Sequence, residues 1–147
     1  GNPPFGHAGE YAIRSWAKRR LGALLAPLGD SPGLRAARID WEWFEGNAQS
    51  YRLVARSEQA DANGYFRFTC ASLGALVKYP WCSDDPRTAE REKHNIYSSE
   101  REVFARVSAE LGLLRPDGTA ARHPLSFLAE AADDICYRIS DFEDAVE

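Results

Sequence analysis

The chain has 147 residues, 44% hydrophobic and 27% charged, with a net charge of −4. That suffices for one soluble domain with a real core, and it lacks the basic excess that would argue for nucleic acid as the main partner. No apolar run approaches the roughly 18 residues of a membrane span, and no signal-peptide pattern is present.

The first ten residues, Gly1-Asn2-Pro3-Pro4-Phe5-Gly6-His7-Ala8-Gly9-Glu10, combine prolines that fix φ with glycines that tolerate positive φ. A stiff, turned segment is expected, presenting His7 and Glu10 three positions apart. Residues 8–25 then read as a helix. Ile13, Trp16, Leu21, Leu24 and Leu25 share its inner side, with Lys18, Arg19 and Arg20 mostly outward. Residues 26–39 carry Pro27, Gly29, Pro32 and Gly33 and read as a loop. Asp40 is the expected N-cap of a helix over 41–56, with Phe44, Ala48, Tyr51 and Val54/Ala55 recurring at helical spacing.

Asp61-Ala62-Asn63-Gly64 reads as a turn. Thr69 caps an expected short helix over 70–77, which Pro80 stops. Residues 82–95 are polar and read as a loop. Ser99-Glu100-Arg101-Glu102 has the form of a capping box opening a helix to residue 111. After a turn at Pro116-Asp117-Gly118, Pro124 occupies the first position of a long helix toward residue 147. The fold class is all-α, and any hairpin would be minor.

The last helix carries an apolar seam of Leu128, Ala132, Ile135, Ile139, Phe142 and Val146. Beside it Asp133, Tyr137 and Asp141 fall at i, i+4 and i+8, on one stripe. Such a stripe either faces water or lines a polar cavity holding a cation, since burial in an apolar site would cost desolvation energy. Cys70, Cys82 and Cys136 have no metal-type spacing and read as reduced thiols of a cytoplasmic protein. His94 and His123 likewise lack partners at ligand spacing, and His123 reads as part of a helix start. Trp16, Trp41, Trp43 and Trp81 read as core or subunit-contact aromatics. No Gly-rich phosphate loop follows a strand. Met is absent and residue 1 is Gly, which reads as an excerpt of a longer chain.

Several blocks together resemble the HD-domain deoxynucleoside triphosphate triphosphohydrolases, the dGTPase family. They are the His7–Glu10 segment, Phe44-Glu45-Gly46-Asn47-Ala48-Gln49, Leu76-Val77-Lys78-Tyr79-Pro80-Trp81, and Glu130-Ala131-Ala132-Asp133-Asp134-Ile135-Cys136-Tyr137. The resemblance implies a helical HD-domain bundle, here one part of a larger all-helical protein. It implies hydrolysis of a deoxynucleoside triphosphate to deoxynucleoside and inorganic triphosphate. His7 and Glu10 would be the proton-handling pair. Asp133 would be a metal carboxylate, its co-ligands being an upstream His and a His-Asp before Gly1. Lys78 and Lys93 would meet the nucleotide's phosphates, and Tyr79 would lie at the nucleotide pocket, stacking on a base or hydrogen-bonding a phosphate. Tyr137 and Asp141 would contact the nucleotide, Asp141 at the sugar. Asn47 would support the site through a hydrogen bond to a catalytic side chain.

The implied cofactor is a divalent cation, Mn²⁺ or Mg²⁺ first, with Fe, Co, Ni or Zn compatible with a mixed His/Asp set. The implied partners are the deoxynucleoside triphosphate, further copies in a homo-oligomer, and an allosteric nucleotide or single-stranded DNA. No membrane is implied. The residues alone leave bland readings open: His7 and Glu10 as an ordinary helix start, the Asp133 stripe as a solvated face, Lys93 as a loop lysine, and Asn47 as an interhelical amide. Two other functions also stay open: another HD-domain nucleotide phosphohydrolase or phosphodiesterase, and a non-catalytic nucleotide- or nucleic-acid-binding regulator.

Overall fold

Helix α1 runs Gly6–Leu25 in the computed structural model, which describes residues 6–57 and 68–146. Its inner stripe is Glu10, Arg14, Ala17 and Leu21, at steps of four, three and four. This corrects the expected apolar side: Trp16 and Leu24 are about half exposed, and Ile13 and Leu25 only half-buried. The reason is polar. Arg14 donates from Nε to the Phe44 carbonyl at 2.6 Å and from a terminal nitrogen to the Glu92 carbonyl at 3.0 Å. A guanidinium so satisfied can be buried at little cost.

The expected loop over 26–39 is mostly helix. After a 3-10 turn at Ala26–Leu28, α2 occupies Pro32–Glu42 and packs along α1. Ser31 caps it, its hydroxyl accepting from the Leu34 amide at 3.2 Å. Pro32 is at the first helical position, where a missing N–H costs nothing, so this proline starts a helix. Asp40 therefore is not an N-cap. It lies buried near the end of α2, its carboxylate accepting from the hydroxyls of Ser83 and Ser98 and from the Ser98 amide.

The next helix, α3, is Gly46–Ser57, shorter than the expected 41–56 span. Glu45 caps it, its carboxylate accepting from the amides of Asn47 (2.6 Å) and Ala48 (3.3 Å). Ala48, Tyr51 and Ala55 face inward as their spacing requires. The Asp61-Ala62-Asn63-Gly64 turn and the first five residues lie outside the described residues.

Thr69 caps α4 (Cys70–Ala75) through the Ser72 amide at 3.1 Å, as expected. The 82–95 segment contains one helix, α5 (Pro86–Arg91), with Asp85 capping and Pro86 again a starter. The Ser99 capping box does not form. A 3-10 turn at Ser98–Glu100 leads into α6 (Arg101–Glu110) without a side-chain cap. Glu100 is instead buried, accepting from Arg52 at 2.9 Å and Arg56 at 3.1 Å. Finally α7 spans Pro124–Val146, with the His123 ring accepting from the Leu125 amide at its start.

The described residues form an all-helical structure with only two isolated β-bridges, Cys82 with Ile96 and Leu114 with Ala120. Tyr51, Ala55, Leu73, Val77, Ile96 and Val107 make the central apolar cluster. α4 packs on both α6 and α7, where Gly74 lets Leu111 and His123 approach closely. Beyond Glu130, α7 is exposed through its described length. Among the described residues no helix is long and apolar enough to cross a membrane.

Candidate functional site

Glu10, inside the first half of α1, is almost fully buried and, among the described residues, meets Gly46, His7 and Lys93. One carboxylate oxygen accepts from the Gly46 amide at 3.0 Å, where α3 begins. The other meets His7 Nδ1 at 3.0 Å and lies 3.6 Å from Lys93 Nζ. Burial works against its charge. The His7 bond, the Lys93 ammonium, the positive charge of the chain's amino terminus and the Gly46 amide together outweigh burial and hold its carboxyl at about 2. Glu10 is therefore ionised throughout the neutral range. Its hydrogen bond fixes His7 through Nδ1 and leaves Nε2 free for chemistry. The His7 side chain is 67% exposed, so that second nitrogen is within reach of a ligand.

Behind this pair sits Glu45, which has no exposed surface. Besides capping α3, it accepts from Lys93 Nζ at 2.7 Å and Asn47 Nδ2 at 3.1 Å. Burial lowers the proton affinity of Lys93, but Glu45 and Glu10 outweigh that and raise it, so the ammonium stays charged. Lys93 thus bridges two buried carboxylates. Its backbone is also held, its carbonyl accepting from Trp81 Nε1 at 2.7 Å. Next in the chain, His94 is fully buried between the carbonyls of Trp43 (2.7 Å) and Ile96 (3.2 Å), and burial lowers its proton affinity.

Of the residues expected from the sequence, His7, Glu10, Lys93 and Asn47 are brought into one network. Asn47 enters through Glu45, to which its side-chain amide donates, and not through a bond to His7 or Glu10. Lys78 and Tyr79 follow α4 and adjoin the first half of α7. Lys78 is ion-paired to Glu130 at 2.5 Å, which raises its proton affinity, and stands 5.7 Å from the Tyr79 ring centroid. Asp133, Tyr137 and Asp141 are exposed together on α7. Among the described residues no group of three or more His, Cys, Asp or Glu converges on a metal position. Asp133 therefore belongs to no such group among the described residues, and one carboxylate does not by itself fit a divalent ion.

Glu45 and Arg14 carry much of this network, and neither was singled out by sequence reasoning. Glu45 could have been found: an acid directly before Gly-Asn, where α3 begins, is in position to cap. Arg14 carries no such signal, because its partners, the Phe44 and Glu92 carbonyls and the Glu92 carboxylate, are 30 and 78 residues away.

The described residues define an all-helical protein with a buried, lysine-bridged carboxylate pair feeding an exposed histidine. The curated relatives are informative about what such a chain is. It is 42% identical over its whole length to a deoxyguanosinetriphosphate triphosphohydrolase-like protein of Pseudomonas aeruginosa (strain LESB58), covering 33% of it. It is 41% identical over 98% of its length to a protein of the same name from a Synechocystis species, covering 34%. A probable deoxyguanosinetriphosphate triphosphohydrolase of P. aeruginosa (strain PAO1) is 39% identical over the whole chain, which covers 30% of it. No family model matches the chain. The chain belongs to the deoxyguanosinetriphosphate triphosphohydrolase-like family, as the resemblance implied, and spans about a third of the length of these relatives.

Proposed function

We propose that this chain carries the proton-handling part of an enzyme that hydrolyses a deoxynucleoside triphosphate to deoxynucleoside and inorganic triphosphate. The observation that carries the reading is the 3.0 Å contact between exposed His7 and buried, ionised Glu10, in a chain whose relatives bear a triphosphohydrolase name.

In this reaction water adds to the α-phosphorus, the bond to the sugar oxygen breaks, and that oxygen must gain a proton. His7 donates it. Glu10 keeps Nδ1 engaged, orients the ring and stabilises the imidazolium before transfer, an orienting carboxylate behind a general acid. Lys93 anchors Glu10 and Glu45, so its ammonium is already committed to two carboxylates. To serve a phosphate, Lys93 and Lys78 each share or exchange a carboxylate partner. Tyr137 and Asp141, exposed on one stripe of α7, are the groups proposed to meet the sugar. Asp133 is proposed as a metal carboxylate. Among the described residues it belongs to no group of three or more metal-ligating side chains.

The test incubates the intact protein with Mn²⁺ and each of the four deoxynucleoside triphosphates, resolving products by ion exchange. Deoxynucleoside plus intact triphosphate is expected, with His7→Ala lowering kcat by about 10²–10⁴-fold. Monophosphate plus pyrophosphate, released orthophosphate, or full activity in His7→Ala overturns the reading.

A further inference from the structure

Among the described residues, Glu92 is the one non-glycine residue with a positive φ, at 55°. It ends α5 in the left-handed conformation, a place usually taken by glycine, which has no Cβ to clash. A glutamate there is strained, and such strain persists only where the surroundings hold it. The next residue is Lys93, whose ammonium meets Glu45 and Glu10.

Arg14 holds Glu92. One terminal nitrogen donates to the Glu92 carbonyl at 3.0 Å, and the other lies 3.7 Å from the Glu92 carboxylate. The same guanidinium donates from Nε to the Phe44 carbonyl at 2.6 Å. Phe44 directly precedes Glu45, as Glu92 directly precedes Lys93. One planar fork therefore fixes the two chain corners whose next residues form the 2.7 Å Lys93–Glu45 pair. His94 adds a second tie between the same corners, its Nε2 meeting the Trp43 carbonyl at 2.7 Å. Arg14 comes from α1, about one turn after Glu10, and is 6% exposed. As a cation it works against the charge of Lys93, so its contribution is the geometry of its fork.

We propose that Arg14 is a positioning residue for the His7–Glu10 pair: by clamping the left-handed Glu92 corner to the Phe44 carbonyl, it aims the Lys93 ammonium between Glu45 and Glu10. The inference deepens the hydrolysis reading and rests on it for the effect on turnover. The placement of Lys93 is independent of turnover and is measured separately.

The experiment is reductive methylation of the intact protein with formaldehyde, following each lysine by peptide mass spectrometry, with Lys78 as the internal reference. The same samples give kcat and KM for dGTP with Mn²⁺. In Arg14→Met, Lys93 is modified about tenfold faster relative to Lys78, because its ammonium is no longer held between two carboxylates. In that variant kcat falls about tenfold or more, as expected when a supporting group is misplaced. Arg14→Lys keeps the charge and loses the fork, so Lys93 stays faster than in the parent. Arg14→Met/Glu92→Gly slows Lys93 modification about threefold or more from Arg14→Met, because glycine adopts this φ without a clamp. A general loosening gives the opposite result, since an added glycine frees the unfolded chain and deepens the loss. Should Arg14→Met not fold, Arg14→Lys and Arg14→Lys/Glu92→Gly are compared instead. Lys93 modification within about twofold of the parent in the Arg14 variant, or no slowing on adding Glu92→Gly, overturns the proposal. Faster modification with kcat within about twofold of the parent overturns the role toward His7–Glu10. A parent without turnover refutes the hydrolysis reading, while the modification rates still decide whether Arg14 places Lys93.

Discussion

Replacing Lys93 with Met keeps the length and removes the ammonium from between two buried carboxylates. Its Nζ is 2.7 Å from Glu45 and 3.6 Å from Glu10, whose side chains are 0% and 6% exposed. Removing one partner of a buried ion pair costs about 3–5 kcal/mol, because the other charge is left uncompensated. Two features reduce that figure here. The Lys93 side chain is 25% exposed, and Glu45 keeps the donors of Asn47 and Ala48. A loss of about 2–3 kcal/mol is expected. With a urea m-value of about 2 kcal/mol/M, the unfolding midpoint at pH 7 falls by roughly 1–1.5 M. The assay is urea titration of the intact protein followed by far-UV circular dichroism. Lys93→Met/Glu45→Gln should recover part of the loss, since the buried charge goes with its counter-ion. A midpoint for Lys93→Met within experimental error of the parent would refute the argument that this ammonium compensates the pair.

Glu10 makes stability depend on acid. Its folded carboxyl is held at about 2, below its ordinary 4.5. Its contribution is therefore complete above pH 4.5 and is lost as pH falls toward 2. Stability measured from pH 7 down to 2 should fall less steeply in Glu10→Gln than in the parent, and parallel curves would contradict the assignment. Arg52 and Arg56 both serve Glu100, but their side chains are 27% and 59% exposed. Arg52→Met, which also strips a cation from the Tyr97 ring at 4.2 Å, should cost about 2–3 kcal/mol, and Arg56→Met about 1 kcal/mol or less, in thermal unfolding. Equal losses would show that burial does not set the value of these pairs.

The elements legible in the sequence were those with local signals. α1, the capped α4 and the proline-started α7 follow from helix formers, a Thr cap and a proline at a first position. The two missed helices share one feature. The Pro/Gly content of 26–39 and the polarity of 82–95 both suggest loops, although Ser31 and Asp85 stand directly before Pro32 and Pro86 as caps. Asp40 and Ser99 were assigned local capping roles that tertiary partners took over: Asp40 holds Ser83 and Ser98, and the expected Ser99 box gives way to Glu100 gripping two arginines.

The same division runs through the candidate site. The sequence by itself determined that His7 and Glu10 lie three positions apart and can meet, although the structure places both on α1, where that spacing brings side chains together, and not on the turned segment expected there. It also determined that Asp133, Tyr137 and Asp141 share one stripe of α7. Only the tertiary structure decided that Glu45 stands behind Glu10, that Lys93 joins them across 48 residues, and that Arg14 reaches the carbonyls of Phe44 and Glu92. Helical periodicity places side chains relative to their own axis. Which charges become neighbours depends on how the axes pack, and their strength on how much water that packing removes.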